Sequence, residues 1–201
     1  MVAIIDYDAG NIKSVEKAIL SLGESAVITR DKDEILAADR VILPGVGAFG
    51  DAMEKIRKYG LEEVIAEVVH RKTPFLGICL GLQLLFESSE ESAGVKGLGI
   101  LKGKIVRIPD NVGLKVPHIG WNSLEYPKKG RLFEGIPENS YVYFVHSYYL
   151  QAEEDIVVAT TEYATHIHAS VEKDNVFACQ FHPEKSSEVG LKILDNFIHI
   201  Q

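Results

Sequence analysis

The chain has 201 residues, of which 46% are hydrophobic and 25% charged, the composition of an ordinary globular protein with one well-buried core. Its formal net charge of -8 excludes a broad basic field for nucleic acid or an anionic membrane, and no stretch approaches the roughly 20 apolar residues of a membrane span. Its two cysteines cannot form a disulfide framework, which favours a reducing compartment. We therefore expect a single cytoplasmic domain over residues 1–201, with neither nucleic-acid nor membrane partners.

The first half of the chain alternates short apolar runs with helical patterns, which predicts a parallel sheet covered by helices on both faces. Strands are predicted at residues 2–7, 26–28, 41–43 and 75–78. Helices are predicted from Asn11, as the N-cap, to Gly23, and at 49–59, 61–71 and after Cys79, with a short helix or turn at 31–38.

From Leu101 onward the pattern changes to short β-rich runs separated by Gly, Pro and Asn turns. These runs lie at residues 104–108, 122–126, 141–145, 157–161, 169–173 and 176–181, and a C-terminal helix closes the chain around Leu191 to Ile198. The expected fold is a three-layer α/β/α arrangement. Its mostly parallel, flavodoxin-like sheet is extended by antiparallel strands in the second half of the chain.

A single cysteine marks the point where the strand at residues 75–78 gives way to a helix. The sequence there, Gly77-Ile78-Cys79-Leu80-Gly81, has the spacing of the Gly-x-Ser-x-Gly nucleophile elbow, in which small neighbours permit a sharp turn that exposes the nucleophile. The positive end of the following helix favours a thiolate over a thiol. Cys79 is therefore a candidate nucleophile, although a cysteine at such a place can equally be a small buried core residue.

A base and its orienting group are found at the end of the last predicted strand, where Pro183 interrupts the β pattern. His182 and Glu184 flank this proline, so that both side chains can project from one strand end, with the carboxylate orienting the imidazole. In a parallel sheet, sites form outside the carboxyl ends of the strands, which favours a common site for Cys79 and this pair.

Two motifs, residues 77–83 (Gly-Ile-Cys-Leu-Gly-Leu-Gln) and 182–184 (His-Pro-Glu), carry a resemblance to the class I (triad) glutamine amidotransferases. The resemblance spans nearly the whole chain and narrows to the glutaminase subunits of imidazole glycerol phosphate synthases. The narrower match rests on residues 44–50 (Pro-Gly-Val-Gly-Ala-Phe-Gly), 120–122 (Gly-Trp-Asn), 144–148 (Phe-Val-His-Ser-Tyr) and 182–186 (His-Pro-Glu-Lys-Ser). Two positions depart from the family pattern, Asp8 where a glycine is usual and Leu82 where a methionine is usual.

The resemblance implies a glutaminase with a Cys79, His182 and Glu184 triad that releases ammonia from glutamine without a cofactor or metal. A developing oxyanion needs backbone N–H donors, which a glycine-rich loop can bring close. The resemblance assigns these donors to Val46, Gly47 and Leu80. It assigns the amino-acid end of glutamine to three further residues, Gln83, Ser147 and Tyr148.

A separate partner subunit is also implied, because the family passes its ammonia to a (β/α)₈-barrel cyclase and such a barrel typically needs ~250 residues. The expected assembly is a heterodimer that makes imidazole glycerol phosphate and an aminoimidazole carboxamide ribotide in histidine biosynthesis. The resemblance places Trp121, Asn122, Tyr143 and Lys185 at the docking face, beside the exit for ammonia.

Two rival hypotheses remain at this point: a glutaminase of the same class serving anthranilate, aminobenzoate or pyridoxal phosphate synthesis, and a non-catalytic flavodoxin-like binding module.

Two further features of the sequence have simpler interpretations. His166 and His168 have the spacing of a metal pair on one strand face, but no third ligand lies near them in sequence. Cys179 falls within an apolar strand and is interpreted as core packing.

Overall fold

A ten-stranded mixed sheet forms the centre of the molecule in the computed structural model, which describes residues 1–110 and 113–201. The strands are β1 (Val2–Ile5), β2 (Ala26–Thr29), β3 (Arg40–Leu43), β4 (Phe75–Ile78), β5 (Ser88–Ser89), β6 (Gly103–Arg107), β7 (His118–Ser123), β8 (Tyr141–His146), β9 (Tyr148–Ala152), β10 (Val157–Tyr163), β11 (Thr165–Lys173) and β12 (Val176–Cys179). The helices are α1 (Ile12–Ser21), α2 (Lys32–Ala37), α3 (Phe49–Lys58), α4 (Leu61–His70), α5 (Leu80–Leu84) and α6 (Ser187–His199), with 3₁₀ turns at Arg131–Phe133 and Pro183–Lys185.

The sheet has the order β2-β1-β3-β4-β12-β11-β9-β6-β5, with β10 paired to β11. Its first five strands are parallel, whereas β11, β9 and β6 continue it with antiparallel pairings. The predicted α/β architecture is thereby confirmed. Because β3, β4 and β12 are parallel neighbours, their carboxyl ends lie side by side, and the glycine-rich loop, Cys79 and His182 follow these three ends.

Two apolar layers enclose the parallel part of the sheet, as the period-two alternation of strand side chains requires. In β1, Val2 and Ile4 belong to one core cluster together with residues of α1 and α6. Ala3 and Ile5 belong to the other, with residues of α2, α3 and α4. Every residue of β1, β4 and β12 is buried, which explains why these strands are continuous apolar runs in the sequence.

The strands β7 and β8 differ from expectation, because they pair with each other in a separate two-stranded sheet instead of extending the main one. The first of them spans residues 118–123, whereas the sequence pattern predicted 122–126. Its histidine and glycine have weak β propensity, and the pairing with β8 determines the strand. In β8, Val142, Phe144 and His146 are buried, so the opposite face of this hairpin points outward.

The start of α1 also corrects a prediction. Asn11 was expected to cap this helix, but it has a left-handed backbone with φ of 65° and its side chain makes no capping hydrogen bond. The amide is used elsewhere, as described below. Among the described residues, no helix combines the length and the apolar character needed to cross a membrane.

The strand β4 and the helix α5 approach their neighbours so closely that two glycines are required. A Cβ atom at Gly81 would lie 1.9 Å from the carbonyl oxygen of Leu43, and one at Gly77 would lie 2.7 Å from the carbonyl oxygen of Gly81. The turn between β4 and α5 is therefore packed directly against the end of β3, with no room for a methyl group.

We expect Gly81→Ala to lower the free energy of unfolding by about 1–3 kcal/mol or more, because the added methyl forces β3 and α5 apart. Alanine in a helix ordinarily stabilises relative to glycine by roughly 0.5–1 kcal/mol, so the sign of the effect is informative. Gly23→Ala is the control, since a Cβ there meets no atom within 4 Å and only its positive φ is strained. Urea unfolding of both variants measures the difference. Equal or higher stability of Gly81→Ala would contradict the close contact.

Candidate active site

The turn from β4 into α5 holds Cys79 in a strained backbone conformation. Its φ of 53° and ψ of -107° are unusual for a non-glycine residue, and such strain persists only where the surroundings impose it. The N–H of Cys79 donates to the carbonyl of Cys179 at 2.8 Å, which fixes the turn to the end of β12. The strand, turn and helix predicted around this cysteine are all present.

Next to Cys79, His182 and Glu184 form a buried pair. Nδ1 of His182 lies 2.7 Å from Oε1 of Glu184, and both side chains are almost fully removed from solvent. The same Oε1 accepts a hydrogen bond of 2.6 Å from the side-chain amide of Asn11. Asn11 is thus a site residue that the sequence analysis missed. A role as helix N-cap already accounted for a polar side chain at this position.

The environment of His182 favours its charged form. Burial disfavours the imidazolium, but the interactions with Cys79 and Glu184 outweigh this cost and raise the pKa of His182 to about 10. Nε2 of His182 is buried and makes no hydrogen bond within the described residues. These contacts with Cys79 and Glu184 favour the protonated imidazole next to the cysteine.

A second buried imidazole, His146, has the opposite character. Burial lowers the pKa of His146 to about 3, against a smaller raising effect of its hydrogen bond with the carbonyl of Tyr148. That contact, 2.8 Å from Nδ1, requires a proton on Nδ1, so Nε2 is left as the acceptor for Nδ1 of His118 at 3.3 Å. Burial lowers the pKa of His118 to about 4. Two histidines whose neutral forms are favoured therefore connect β7 and β8 to the start of β9 at Tyr148.

A cavity of about 390 Å³ opens above Cys79. Its lining includes all the predicted oxyanion and substrate residues: Val46, Gly47, Leu80, Gln83, Ser147 and Tyr148. Glu91, Pro117, Val145 and His146 complete the wall. The size and the mixed apolar and polar lining suit a small polar molecule with a few fixed contacts.

The side chain of Gln83 is almost fully buried, and its Nε2 is already committed. This nitrogen donates to the carbonyl of Tyr148 and to Oε1 of Gln180, both at 3.1 Å. The remaining oxygen of Gln83 is the atom left to accept a hydrogen bond from a molecule in the cavity.

The glycine-rich loop after β3 lies against the start of α5. The N–H of Leu80, a predicted oxyanion donor, bonds to the carbonyl of Gly45 at 3.3 Å. The hydroxyl of Tyr7 donates to the carbonyl of Pro44 at 2.7 Å and fixes the loop at its beginning. Gly47 has φ of 109°, a conformation that favours glycine.

The acidic run at residues 87–92, to which the sequence assigned no function, also contributes to the cavity. Oε2 of Glu91 accepts from the N–H of Phe49 at 2.9 Å, and Oγ of Ser92 accepts from the N–H of Gly50 at 2.8 Å. Both bonds satisfy the free N–H groups at the start of α3. Nothing in the acidic sequence at residues 87–92 indicated that the carboxylate of Glu91 would face the cavity.

The four residues predicted at the docking face lie on or near the β7–β8 hairpin. Trp121 is half exposed, and its ring meets that of the partly buried Tyr143 edge to face. The side-chain amide of Asn122 donates to the carbonyl of Glu162 at 2.9 Å. Lys185 is exposed on the 3₁₀ turn that follows His182.

The two histidines and the second cysteine that the sequence analysis set aside lie outside this cavity. Within residues 1–110 and 113–201, no group of three or more potential ligands could hold a metal ion. His166 pairs with Glu162, and His168 accepts from the N–H of Ala152 at 3.2 Å. Cys179 is fully buried in the core of β12, and burial raises the pKa of its thiol.

A cysteine held at a strained turn beside a buried histidine and carboxylate is an arrangement that nucleophilic catalysis by a thiol can use. The model of the family "Glutamine amidotransferase class-I" matches residues 3–200, and the chain belongs to this family. It is accordingly a glutamine amidotransferase.

The chain is 52% identical over 200 residues to the imidazole glycerol phosphate synthase subunit HisH of Methanocaldococcus jannaschii, with full coverage of both chains. It is 53% identical to the HisH subunit of Moorella thermoacetica over 98% of this chain and 93% of that protein. Its fold is similar to a crystal structure of a glutamine amidotransferase, with a TM-score of 0.76 and 21% identity over 98% of this chain and 99% of that one. It is also similar to PurLQS from Thermotoga maritima, with a TM-score of 0.75 and 23% identity over 98% and 96%.

The two buried histidines generate a prediction about protonation. In NMR titrations, the imidazole of His182 should remain protonated well above neutral pH, and His146 should remain neutral from about pH 5 to about pH 9. Removing the sulfur in Cys79→Ala should lower the pKa of His182, because Cys79 is the larger of the two interactions that raise it.

Stability should follow the same linkage. The folded-state pKa of His182 lies above its ordinary value of 6.5, so its stabilising contribution is complete below that pH and is lost as the pH rises through about 10. Signals are assigned with His182→Asn and His146→Asn. A neutral His182 at pH 7 in the unmodified protein would contradict the prediction.

Proposed function

We propose that this chain is the glutaminase subunit of an imidazole glycerol phosphate synthase, acting as one domain in the cytoplasm. It hydrolyses glutamine to glutamate and ammonia, and a cyclase subunit uses the ammonia to make imidazole glycerol phosphate and an aminoimidazole carboxamide ribotide. The observation that carries the hydrolysis is the buried contact between His182 and Glu184 beside the strained Cys79. The HisH relatives support the pathway.

The triad can perform the reaction in two steps. The thiolate of Cys79 attacks the side-chain amide carbon of glutamine, and a C–S bond forms. As the C–N bond breaks, the imidazolium of His182 gives its proton to the departing nitrogen and ammonia leaves. His182 then takes a proton from water, whose oxygen attacks the thioester. The C–S bond breaks, and glutamate, thiolate and imidazolium result.

Glu184 holds His182 in the tautomer that this sequence needs. Its contact with Nδ1 leaves Nε2 to exchange the proton on the side of the sulfur. The side-chain amide of Asn11 donates to the same carboxylate oxygen and limits the rotation of the carboxylate.

Glutamine would bind with its amide at the sulfur and its amino-acid end toward the far wall of the cavity. The free oxygen of Gln83 and the carboxylate of Glu91 are acceptors suited to an ammonium group, and Ser147 and Tyr148 would contact the same end. The oxyanion would be stabilised by N–H groups of Val46, Gly47 and Leu80. Because the N–H of Leu80 bonds to the carbonyl of Gly45, the loop must shift for this donor to act.

The exposed side of the β7–β8 hairpin supports a docking surface for the cyclase, a (β/α)₈ barrel in a heterodimer. Ile119, Trp121 and Tyr141 on this side are half or more exposed, which is unusual for large apolar residues unless a partner covers them. Tyr143 lies beside them, and Lys185 contributes a charge to the rim. The carbonyl of Val145, on the same hairpin, lies 3.9 Å from Sγ of Cys79, so the docking surface borders the catalytic site.

The rival functions have less support. A non-catalytic binding module gives no reason for a strained cysteine next to a buried histidine and carboxylate. Glutaminases for anthranilate, aminobenzoate or pyridoxal phosphate synthesis share the chemistry, but the relatives compared at 52–53% identity are HisH subunits.

We expect Cys79→Ala to reduce glutamine-dependent turnover by about 10⁴-fold or more, because the covalent path is lost. His182→Asn should lose a comparable amount and Glu184→Gln less, since an orienting group supports proton transfer without performing it. The measurement is glutamate release by the complex with the cyclase subunit.

The matched control is Cys179→Ala, which removes a thiol from the neighbouring strand β12 that does not line the cavity. It should retain turnover, and Cys79→Ala should retain cyclase activity with added ammonia. Turnover of Cys79→Ala within tenfold of the unmodified complex would refute the mechanism.

Docking through the hairpin predicts that Trp121→Ala raises the dissociation constant of the complex by about thirtyfold, as expected for an interface tryptophan. Leu20→Ala on α1 is the control, because both side chains are 50% exposed. Isothermal titration calorimetry with the cyclase subunit measures both constants. If the two substitutions raise the dissociation constant equally, the hairpin is not part of the interface.

A further inference from the structure

A buried glutamine next to the nucleophile has no role in the mechanism above. Gln180 follows β12 and is two residues before His182, and its exposure to solvent is 0%. Its backbone N–H donates to the carbonyl of Ala169 at 2.8 Å, which continues the pairing of β12 with β11. A buried amide needs partners for both its oxygen and its nitrogen, and those of Gln180 are in the active site.

The backbone carbonyl of Tyr148 determines which atoms of Gln83 and Gln180 donate and which accept. The oxygen of Tyr148 can only accept, so the atom of Gln83 at 3.1 Å from it must be the nitrogen, Nε2. That nitrogen is also 3.1 Å from the amide of Gln180, which must present its oxygen there. The other end of the Gln180 amide, its Nε2, is then the atom that lies 3.6 Å from Sγ of Cys79.

We propose that Gln180 is a further catalytic residue, whose side-chain N–H stabilises the sulfur of Cys79 and whose oxygen orients Gln83 toward the bound glutamine. The proposal rests on the proposed glutaminase function and concerns the same cavity. It adds a side-chain amide donor at the sulfur to the residues of the triad.

An N–H group stabilises a thiolate more than a thiol, because hydrogen bonds to charged groups are the stronger ones. As a thiol, Cys79 can donate to the carbonyl of Val145 at 3.9 Å, but as a thiolate it loses that bond and retains the one from Gln180. The reaction uses the thiolate twice, as the attacking group and as the group that leaves when water cleaves the thioester. One donor therefore assists both steps.

The same amide connects the two ends of the substrate site. Both N–H groups of Gln83 are used, by Tyr148 and Gln180, so the oxygen of Gln83 is turned to the substrate. Loss of the Gln180 oxygen frees Gln83 to rotate. We expect substitutions of Gln180 to lower kcat through the sulfur and to raise KM through Gln83.

The test is the rate at which iodoacetamide alkylates Cys79, followed by mass spectrometry of its peptide, in Gln180→Leu and Gln180→Met. At neutral pH, Gln180→Leu should react about ten- to a hundredfold more slowly, the range for a lost hydrogen bond to a charged group. Gln180→Met, which keeps the length of the side chain but has no N–H donor, should be slowed to a similar degree. The deficit of Gln180→Leu should vanish at alkaline pH, where thiolate forms in every variant.

The other titratable groups that influence this sulfur, His182, Tyr7 and Cys179, are the same in all variants and cannot produce the difference. Asn175→Leu is the matched control. Its amide is also buried, at the opposite end of β12, where it donates to the carbonyls of Val69 and Thr73. It should lose stability without a change in the alkylation profile.

Alkylation of a folded Gln180→Leu at the unmodified rate at neutral pH would overturn the proposal. If this variant does not fold, the nearly isosteric Gln180→Met, which has no donor and does not titrate, gives the same decision, and a rate equal to that of the unmodified protein overturns it. The readout needs neither glutamine nor the cyclase. A slowed alkylation in a protein without glutaminase activity would therefore refute the proposed function and leave standing only the hydrogen bond from Gln180 to the sulfur.

Discussion

The strained backbone of Cys79 is the constraint on which the rest of the site depends. A conformation of this kind costs of order 1–3 kcal/mol and persists only when neighbouring contacts impose it. Here the contact of Gly81 with the carbonyl of Leu43 fixes one side of the turn, and the bond from the N–H of Cys79 to Cys179 fixes the other. The nucleophile is thus held by three adjacent strands, β3, β4 and β12. Each of these strands also supplies one part of the chemistry at its carboxyl end.

The pairing of β4 with β12 explains why residues far apart in sequence form one catalytic group. In this parallel register Ile78 lies opposite Cys179, so Cys79 and Gln180 are the next residues on adjacent strands. His182 lies two residues further and Glu184 two beyond that, after the chain has turned at Pro183. The spacing of the Gln-Phe-His-Pro-Glu segment therefore brings to one sulfur the residues to which we assign a donor and a proton carrier, with the carboxylate behind the imidazole.

The sequence predicted the parts of the site that depend on local geometry. The elbow at Cys79 and the His182–Glu184 pair both follow from short-range patterns, glycines around a cysteine and a proline between two polar residues. Asn11 and Glu91 were missed because their contacts cross the molecule, and each had an adequate local explanation, as a helix cap and as part of a solvated acidic run. The hairpin of β7 and β8 was misplaced for the same reason, since strand pairing and not intrinsic propensity determines its first strand.

Two buried histidines show how hydrogen-bond partners divide the roles within one site. His146 and His182 are both buried, and burial disfavours the charged form of each. His182 contacts a carboxylate and the cysteine, which outweigh that penalty, whereas His146 contacts a carbonyl and a neutral imidazole, which do not. The charge of His182 further disfavours a proton on His146. In the proposed reaction, the cation would therefore lie on the side of the sulfur where the amide nitrogen takes up a proton as the C–N bond breaks. The strand along the opposite wall would remain uncharged and leave the oxygen of Gln83 and the carboxylate of Glu91 as acceptors for the ammonium group of glutamine.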